Sequence, residues 1–171
     1  YGHGFISDSA ANKICKLSSF VTLSAQVNSS NIGYHTMDKY KKIKCVIINE
    51  TELRHEMRSK DFPIKLLMAK LAKKLKIENL VVTQGSEGAI LFSLKLRKYY
   101  FSTAFATRVV DKVGTGDAMM SILSLCLKKN IDKDISLLIG SLAAAQSVET
   151  IGNKSAVEKN QLIKSIQYLI K

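Results

Sequence analysis

Several things are scarce in this sequence. It has no tryptophan, only three cysteines and one proline in 171 residues, and 14 acidic residues against 26 basic ones. With aromatic residues at 7% and no indole, a surface built for stacking nucleic-acid bases is disfavoured. The cysteines, Cys15, Cys45 and Cys126, are odd in number and lack a C-x-x-C spacing, which argues against a disulfide scaffold or a zinc site. Cys45 and Cys126 stand in apolar runs and read as buried thiols of a reducing compartment. No apolar run approaches the roughly 18 residues that a membrane span needs. No signal-peptide pattern stands at the start, so the expectation is a cytoplasmic protein with no membrane partner.

What is present describes a folded domain. At 46% hydrophobic and 23% charged, the chain can bury a core. The net charge of +12 favours anionic partners such as nucleotides or sugar phosphates. The lysines are scattered along several segments with no basic stripe, so nucleic acid is not the expected partner. Strand patterns at Phe20–Gln26, Cys45–Ile48, Asn79–Thr83, Ala89–Ser93 and Arg97–Ser102 alternate with helical ones. The helical patterns are Asp8–Leu17, Glu50 to about Arg58, a segment from near Asp61 with Pro63 in its first turn, Gly116–Lys129 and one capped by Asp132. Ser155-Ala-Val-Glu158 has the pattern of a capping box ahead of a last helix. Strands alternating with helices predict an α/β fold, a doubly wound and mostly parallel sheet with helices on both faces, as a single domain over residues 1–171.

The densest chemistry lies at Asp111-Lys-Val-Gly-Thr-Gly-Asp117. A strand-like Arg108-Val-Val leads into two glycines, an acid and then an apolar run, which predicts a loop opening a buried helix. Free backbone N–H groups and the helix dipole make such a loop an anion site. A carboxylate beside a bound phosphate can act as base in phosphoryl transfer. Two further polar clusters, Asn49–Glu52 and Thr83–Gly88, also follow predicted strands, where ligands collect in open α/β sheets. Taken alone, Asn49-Glu-Thr-Glu52 is the pattern of a helix N-cap with a first-turn acid, and Gly85 to Gly88 that of a strand–turn–strand link.

With these three clusters in this order, the sequence resembles the ribokinase-like carbohydrate kinases of the phosphofructokinase B type. Asp111, Gly114, Gly116 and Asp117 match that family's D-T-x-G-A-G-D signature. The resemblance implies that Gly114, Thr115 and Gly116 form an anion hole and that Asp117 takes the proton from the acceptor hydroxyl. Asn49 and Glu52 match N-x-x-E, which implies a role in positioning Mg2+ with the triphosphate. Thr83, Gly85 and Gly88 match T-x-G-x-x-G, which in the family lines the ATP phosphates. Asn28 and Asp111 are further nucleotide contacts by the same analogy, and the small residues at Ala143–Ser147 leave room for an adenine or for tight helix packing. Lys112 and Thr115 depart from the family pattern, at positions where it has smaller residues.

The segments from Gln26 to Tyr34 and from Tyr40 to Glu50 look most like the heptose-phosphate kinase branch. Tyr1-Gly-His-Gly4 suits that branch too. His3 is read as an ordinary loop histidine, with contact to a phosphate or sugar as the alternative. The resemblance implies ATP-dependent phosphorylation of a sugar or sugar phosphate, with a homodimer and a fused or partner nucleotidyltransferase among the assemblies. It covers only the back half of the family domain. The sugar-binding half and its lid are not found ahead of Tyr1, so the expectation is a catalytic-base half, inactive alone. The competing expectation is a non-catalytic nucleotide-binding or assembly module.

Overall fold

Short runs rich in β-branched, other apolar or aromatic residues form the strands. The computed structural model describes residues 6–24, 26, 37–151 and 156–170. In it, β1 (Val21–Ser24), β2 (Ile43–Asn49) and β3 (Asn79–Thr83) are parallel neighbours, with Cys45 opposite Asn79 and Asn49 opposite Thr83. The sheet continues in order through β4 (Ala89–Ser93) and β5 (Lys98–Ser102). The links at residues 84–88 and 94–97 are far shorter than the dozen or so residues that a parallel crossover needs. β4 therefore runs against both neighbours, while all the other strands point one way. The α/β sheet is mixed and mostly parallel, and Leu94 N–H closes the hairpin end by donating to Glu78 O at 2.9 Å.

Two compact units make up the chain: Tyr1–Gln84 with Ile90–Tyr99, and Gly85–Ala89 with Tyr100–Lys171. In the first, α1 (Asp8–Leu17), α2 (Glu50–Glu56) and α3 (Ile64–Leu75) share a core with the strands. Val46 and Ile48 of β2, Leu80 and Val82 of β3, and Ile90 and Phe92 of β4 pack with Cys15, Leu53, Leu67 and Leu71. The alternate positions Cys45, Ile47, Val81 and Leu91 point to the opposite face and are buried as well. Burial on both faces is why these strands read as apolar runs instead of alternating, as in a doubly wound sheet.

The second unit carries α4 (Thr115–Lys128), α5 (Lys133–Val148) and α6 (Lys159–Ile170). Met119, Leu123 and Leu127 of α4 are buried, as are Leu137 and Ala143 of α5. Gly140 lets the two helices approach, since a Cβ there would lie 3.0 Å from Leu123 Cβ. No described helix is long and apolar enough to cross a membrane.

Four local expectations change. Arg108–Val110 is not a strand: the N–H groups of Val110 and Asp111 both donate to Val148 O at the end of α5, so no ladder forms. Helix α4 is buried on one side only, with Leu125 60% exposed. Pro63 precedes α3 as its N-cap instead of lying in the first turn. The last helix begins at Lys159, not after Ser155, because the Glu158 N–H is already bonded to the Gln146 side-chain oxygen at 2.8 Å. Ser155 itself lies outside the described residues.

Candidate functional site

The carboxyl ends of β2 and β3 bring Asn49, Glu52 and Thr83 together. Asn49 ends its strand with an extended backbone and caps α2. Its Oδ1 accepts the Glu52 N–H at 2.8 Å, and Glu52 Oε2 accepts the Asn49 N–H at 2.7 Å, a reciprocal capping box. The helix-cap reading of N-x-x-E is thus realised, and it holds the two oxygen-bearing side chains in fixed relation. Among the described residues no group of three or more His, Cys, Asp or Glu gathers to hold a metal. Side-chain oxygens of this kind are the hard donors that Mg2+ takes.

Beside this pair lies a cluster that sequence reasoning missed. Glu50 Oε1 accepts from Arg54 Nε and Nη2 at 2.9 and 2.7 Å, and its Oε2 accepts from Gln84 Nε2 at 3.1 Å. These bonds, Arg54 first and then Gln84, hold the Glu50 carboxyl below its usual pKa. Arg54 Nη1 also donates to the carbonyls of Lys60 and Phe62, tying down the link between α2 and α3. The Glu–Arg spacing of four on a helix was a visible signal. The arrival of Gln84 from β3 was not.

In the second unit, the loop into α4 gathers Asp111, Gly114, Thr115, Gly116 and Asp117. Asp111 Oδ1 accepts the Val113 N–H at 2.9 Å, an Asx turn that directs the chain toward the helix. Gly114, the N-cap, has φ of 80°, a left-handed conformation suited to glycine. The Thr115 N–H reaches Lys112 O at 3.4 Å, whereas those of Gly116 and Asp117 meet no backbone acceptor among the described residues. Thr115 Oγ1 is buried without a hydrogen-bond partner. A Cβ built on Gly116 meets nothing within 4 Å, so the missing side chain there is not demanded by packing. Free donors, an orphaned hydroxyl, open space above Gly116 and the positive end of a 14-residue helix are what a phosphate needs. The Asp117 side chain stands in the first turn of that helix and is exposed.

Gly85 and Gly88 fall in the turn between β3 and β4. Gly88 has its own structural reason: at φ of 97°, a Cβ would collide with Ser102 O and lie 2.7 Å from the Thr103 carbonyl carbon. The strand–turn–strand reading therefore explains Gly88 without a ligand, and it leaves its backbone available to one. A cleft of about 220 Å³ opens at the end of α5, lined by Gln146, Ser147, Thr150, Val157 and Gln161. It adjoins Val148, whose carbonyl anchors the start of the Asp111 loop. Glu149 borders it too, with Oε1 accepting from Thr107 N and Oγ1 at 2.9 and 3.0 Å. Asn28 and His3 lie outside the described residues.

A family model, the pfkB family carbohydrate kinase, matches residues 8–160. The chain belongs to the pfkB family of carbohydrate kinases. Among its relatives are proteins called bifunctional protein HldE: 29% identical from Campylobacter concisus, covering 96% of this chain and 35% of that protein, and 25% identical from Desulfatibacillum aliphaticivorans, covering 98% and 34%. This pfkB chain thus spans about a third of the length of those relatives. The fold matches a ribokinase from Arabidopsis thaliana complexed with ribose and ATP, with TM-score 0.73 and 22% identity over 92% of this chain and 50% of that one. It also matches a ribokinase II from E. coli, with TM-score 0.78 and 15% identity over 94% and 54%. At those identities the likeness establishes the ribokinase-like fold.

Proposed function

We propose that this pfkB chain is the nucleotide-binding, phosphoryl-transfer portion of an ATP-dependent sugar or sugar-phosphate kinase. The observation that carries the reading is the start of α4, where two N–H groups without backbone acceptors and the space above Gly116 adjoin the Asp117 carboxylate. In phosphoryl transfer the protein mainly orients the nucleophile and neutralises charge. Backbone donors at Gly116 and Asp117 suit the equatorial oxygens of a transferring phosphoryl group. Asp117 suits the acceptor hydroxyl, taking its proton as the oxygen attacks. Mg2+, when bound with ATP, supplies neutralisation of the polyphosphate charge, and Asn49 and Glu52 are the residues on this chain assigned to its waters. Thr83, Gly85, Gly88 and Asp111 are assigned to the nucleotide, and the cleft beside Gln146 and Ser147 to its base. Three free, buried thiols suit a cytoplasmic setting.

The resemblance of Gln26–Tyr34 and Tyr40–Glu50 to that branch supports a heptose phosphate as one candidate acceptor, and bifunctional relatives suit a kinase joined to a nucleotidyltransferase. The test is ATP turnover by the complete polypeptide on a panel of heptose and hexose phosphates. Asp117→Asn is expected to lower turnover by about 10²- to 10⁴-fold with folding intact. Unchanged turnover would remove Asp117 as base. Nucleotide binding without turnover on any acceptor would favour a non-catalytic binding module.

A further inference from the structure

The lysines that look scattered along the sequence converge in the fold on one pole of the first unit. Lys41 and Lys42 lead into β2, and Lys73 and Lys76 lie in the approach to β3. Lys95 and Arg97 occupy the turn from β4 to β5, which is held beside the start of β3 by the bond from Leu94 N–H to Glu78 O. All six are exposed. The strand spacing of about 4.8 Å spreads them over roughly 15 Å from β2 to β5. Of the acids at this pole, Glu78 and Asp38 are engaged by Lys44 and Lys74, and Glu56 faces Asp38, Lys74 and Arg58. Lys42, Lys73, Lys76, Lys95 and Arg97 have no acidic partner among the described residues.

A second observation marks the charge as more than surface solvation. Lys42, Lys76 and Arg97 have φ of 59°, 55° and 51°, the left-handed conformation that glycine or asparagine adopts at less cost. Three separate turns of one pole thus carry a long cationic side chain where glycine or asparagine would meet the backbone demand at less cost. At the tip of the hairpin, between Lys95 and Arg97, Leu96 is 57% exposed. Among the described residues, Tyr40 is buried and Tyr99 half-buried against Phe92, so neither is an exposed aromatic platform for bases at this pole. Exposed cations around one protruding apolar side chain match an anionic lipid surface better than a nucleic acid.

We propose that this pole, at the amino-terminal ends of β2 and β3, docks the protein on membranes rich in anionic lipid, with Leu96 entering the headgroup layer. The opposite ends of the same strands, carrying Asn49 and Thr83, stay clear of the surface. The proposal is independent of the kinase reading.

The test is co-sedimentation of the full chain with vesicles of phosphatidylcholine alone or mixed with phosphatidylglycerol, at low and high salt. Binding is expected only with the anionic lipid, weakening as salt rises. The triple variant Lys42→Asn, Lys76→Asn, Arg97→Asn removes three charges while relaxing the backbone. It should fold at least as well as the parent and partition roughly a hundredfold more weakly. Leu96→Ser should weaken vesicle binding and leave binding to duplex DNA unaltered. No binding to anionic vesicles at low salt, or full binding by the triple variant, overturns the proposal. Equal affinity for duplex DNA with no effect of Leu96→Ser overturns it in favour of a nucleic-acid surface.

Discussion

Substituting Gly116 by alanine separates what the start of α4 does for folding from what it does for a ligand. The new Cβ has no atom within 4 Å, and Gly116 lies inside the helix with no left-handed backbone demand. Replacing a helical glycine by alanine is expected to stabilise by about 0.5–1 kcal/mol. For a chain of this size that corresponds to a rise in melting temperature of about 1–4 °C. The same methyl group would occupy the space in which a phosphate approaches the N–H groups of Gly116 and Asp117. At a hundredfold excess over Kd, Mg·ATP should stabilise the parent by about 2.7 kcal/mol, or roughly 5–10 °C. If the methyl weakens binding about a hundredfold, the stabilisation at the same nucleotide concentration falls to about 0.4 kcal/mol. The assay is thermal melting of parent and variant with and without Mg·ATP. A variant that melts lower than the parent in the absence of nucleotide would show that packing, not a ligand, requires glycine. A variant that keeps the full nucleotide-dependent rise would refute the phosphate assignment.

Gly88→Ala should behave in the opposite way: collision with the Ser102 carbonyl and a left-handed backbone predict a loss of roughly 2–4 kcal/mol in urea denaturation. Gly140→Ala should also destabilise, by about 1–3 kcal/mol, because its Cβ would press on Leu123 between α4 and α5; unchanged stability would mean that Leu123 gives way freely. Glu50 has a folded pKa lowered from 4.5 by Arg54 and Gln84, so its contribution is complete above 4.5 and is lost as pH falls through the lower folded value. Stability measured against pH should therefore decline in that acid range in the parent, and Glu50→Gln should flatten that part of the decline.

Much of the architecture was legible before any coordinates. β3 and β4 have the very limits that the apolar runs of Asn79–Thr83 and Ala89–Ser93 suggest, because a strand buried on both faces has to be apolar throughout. The start of α2 was legible too, and that of α4 to within one residue, since helix capping is a local requirement that short motifs carry. Where local pattern and tertiary partner disagreed, the partner won. Arg108–Val110 has the composition of a strand but bonds to the end of α5, and the last helix starts late because Gln146 takes the Glu158 N–H.

The sequence by itself determined the family to which the chain belongs and the signature that points to it, because spacing along a turn or helix start is a local property of the chain. Tertiary structure alone decided which of the signature glycines serve packing and which leave room: Gly88 is crowded by the Ser102 segment, while Gly116 faces open space. It likewise joined Gln84 to Glu50 across 34 residues and drew dispersed lysines to one pole. The physical reason is common to these cases. Sheet pairing places the ends of strands side by side however far apart they lie in the chain, and no periodicity along the sequence records which ends will meet.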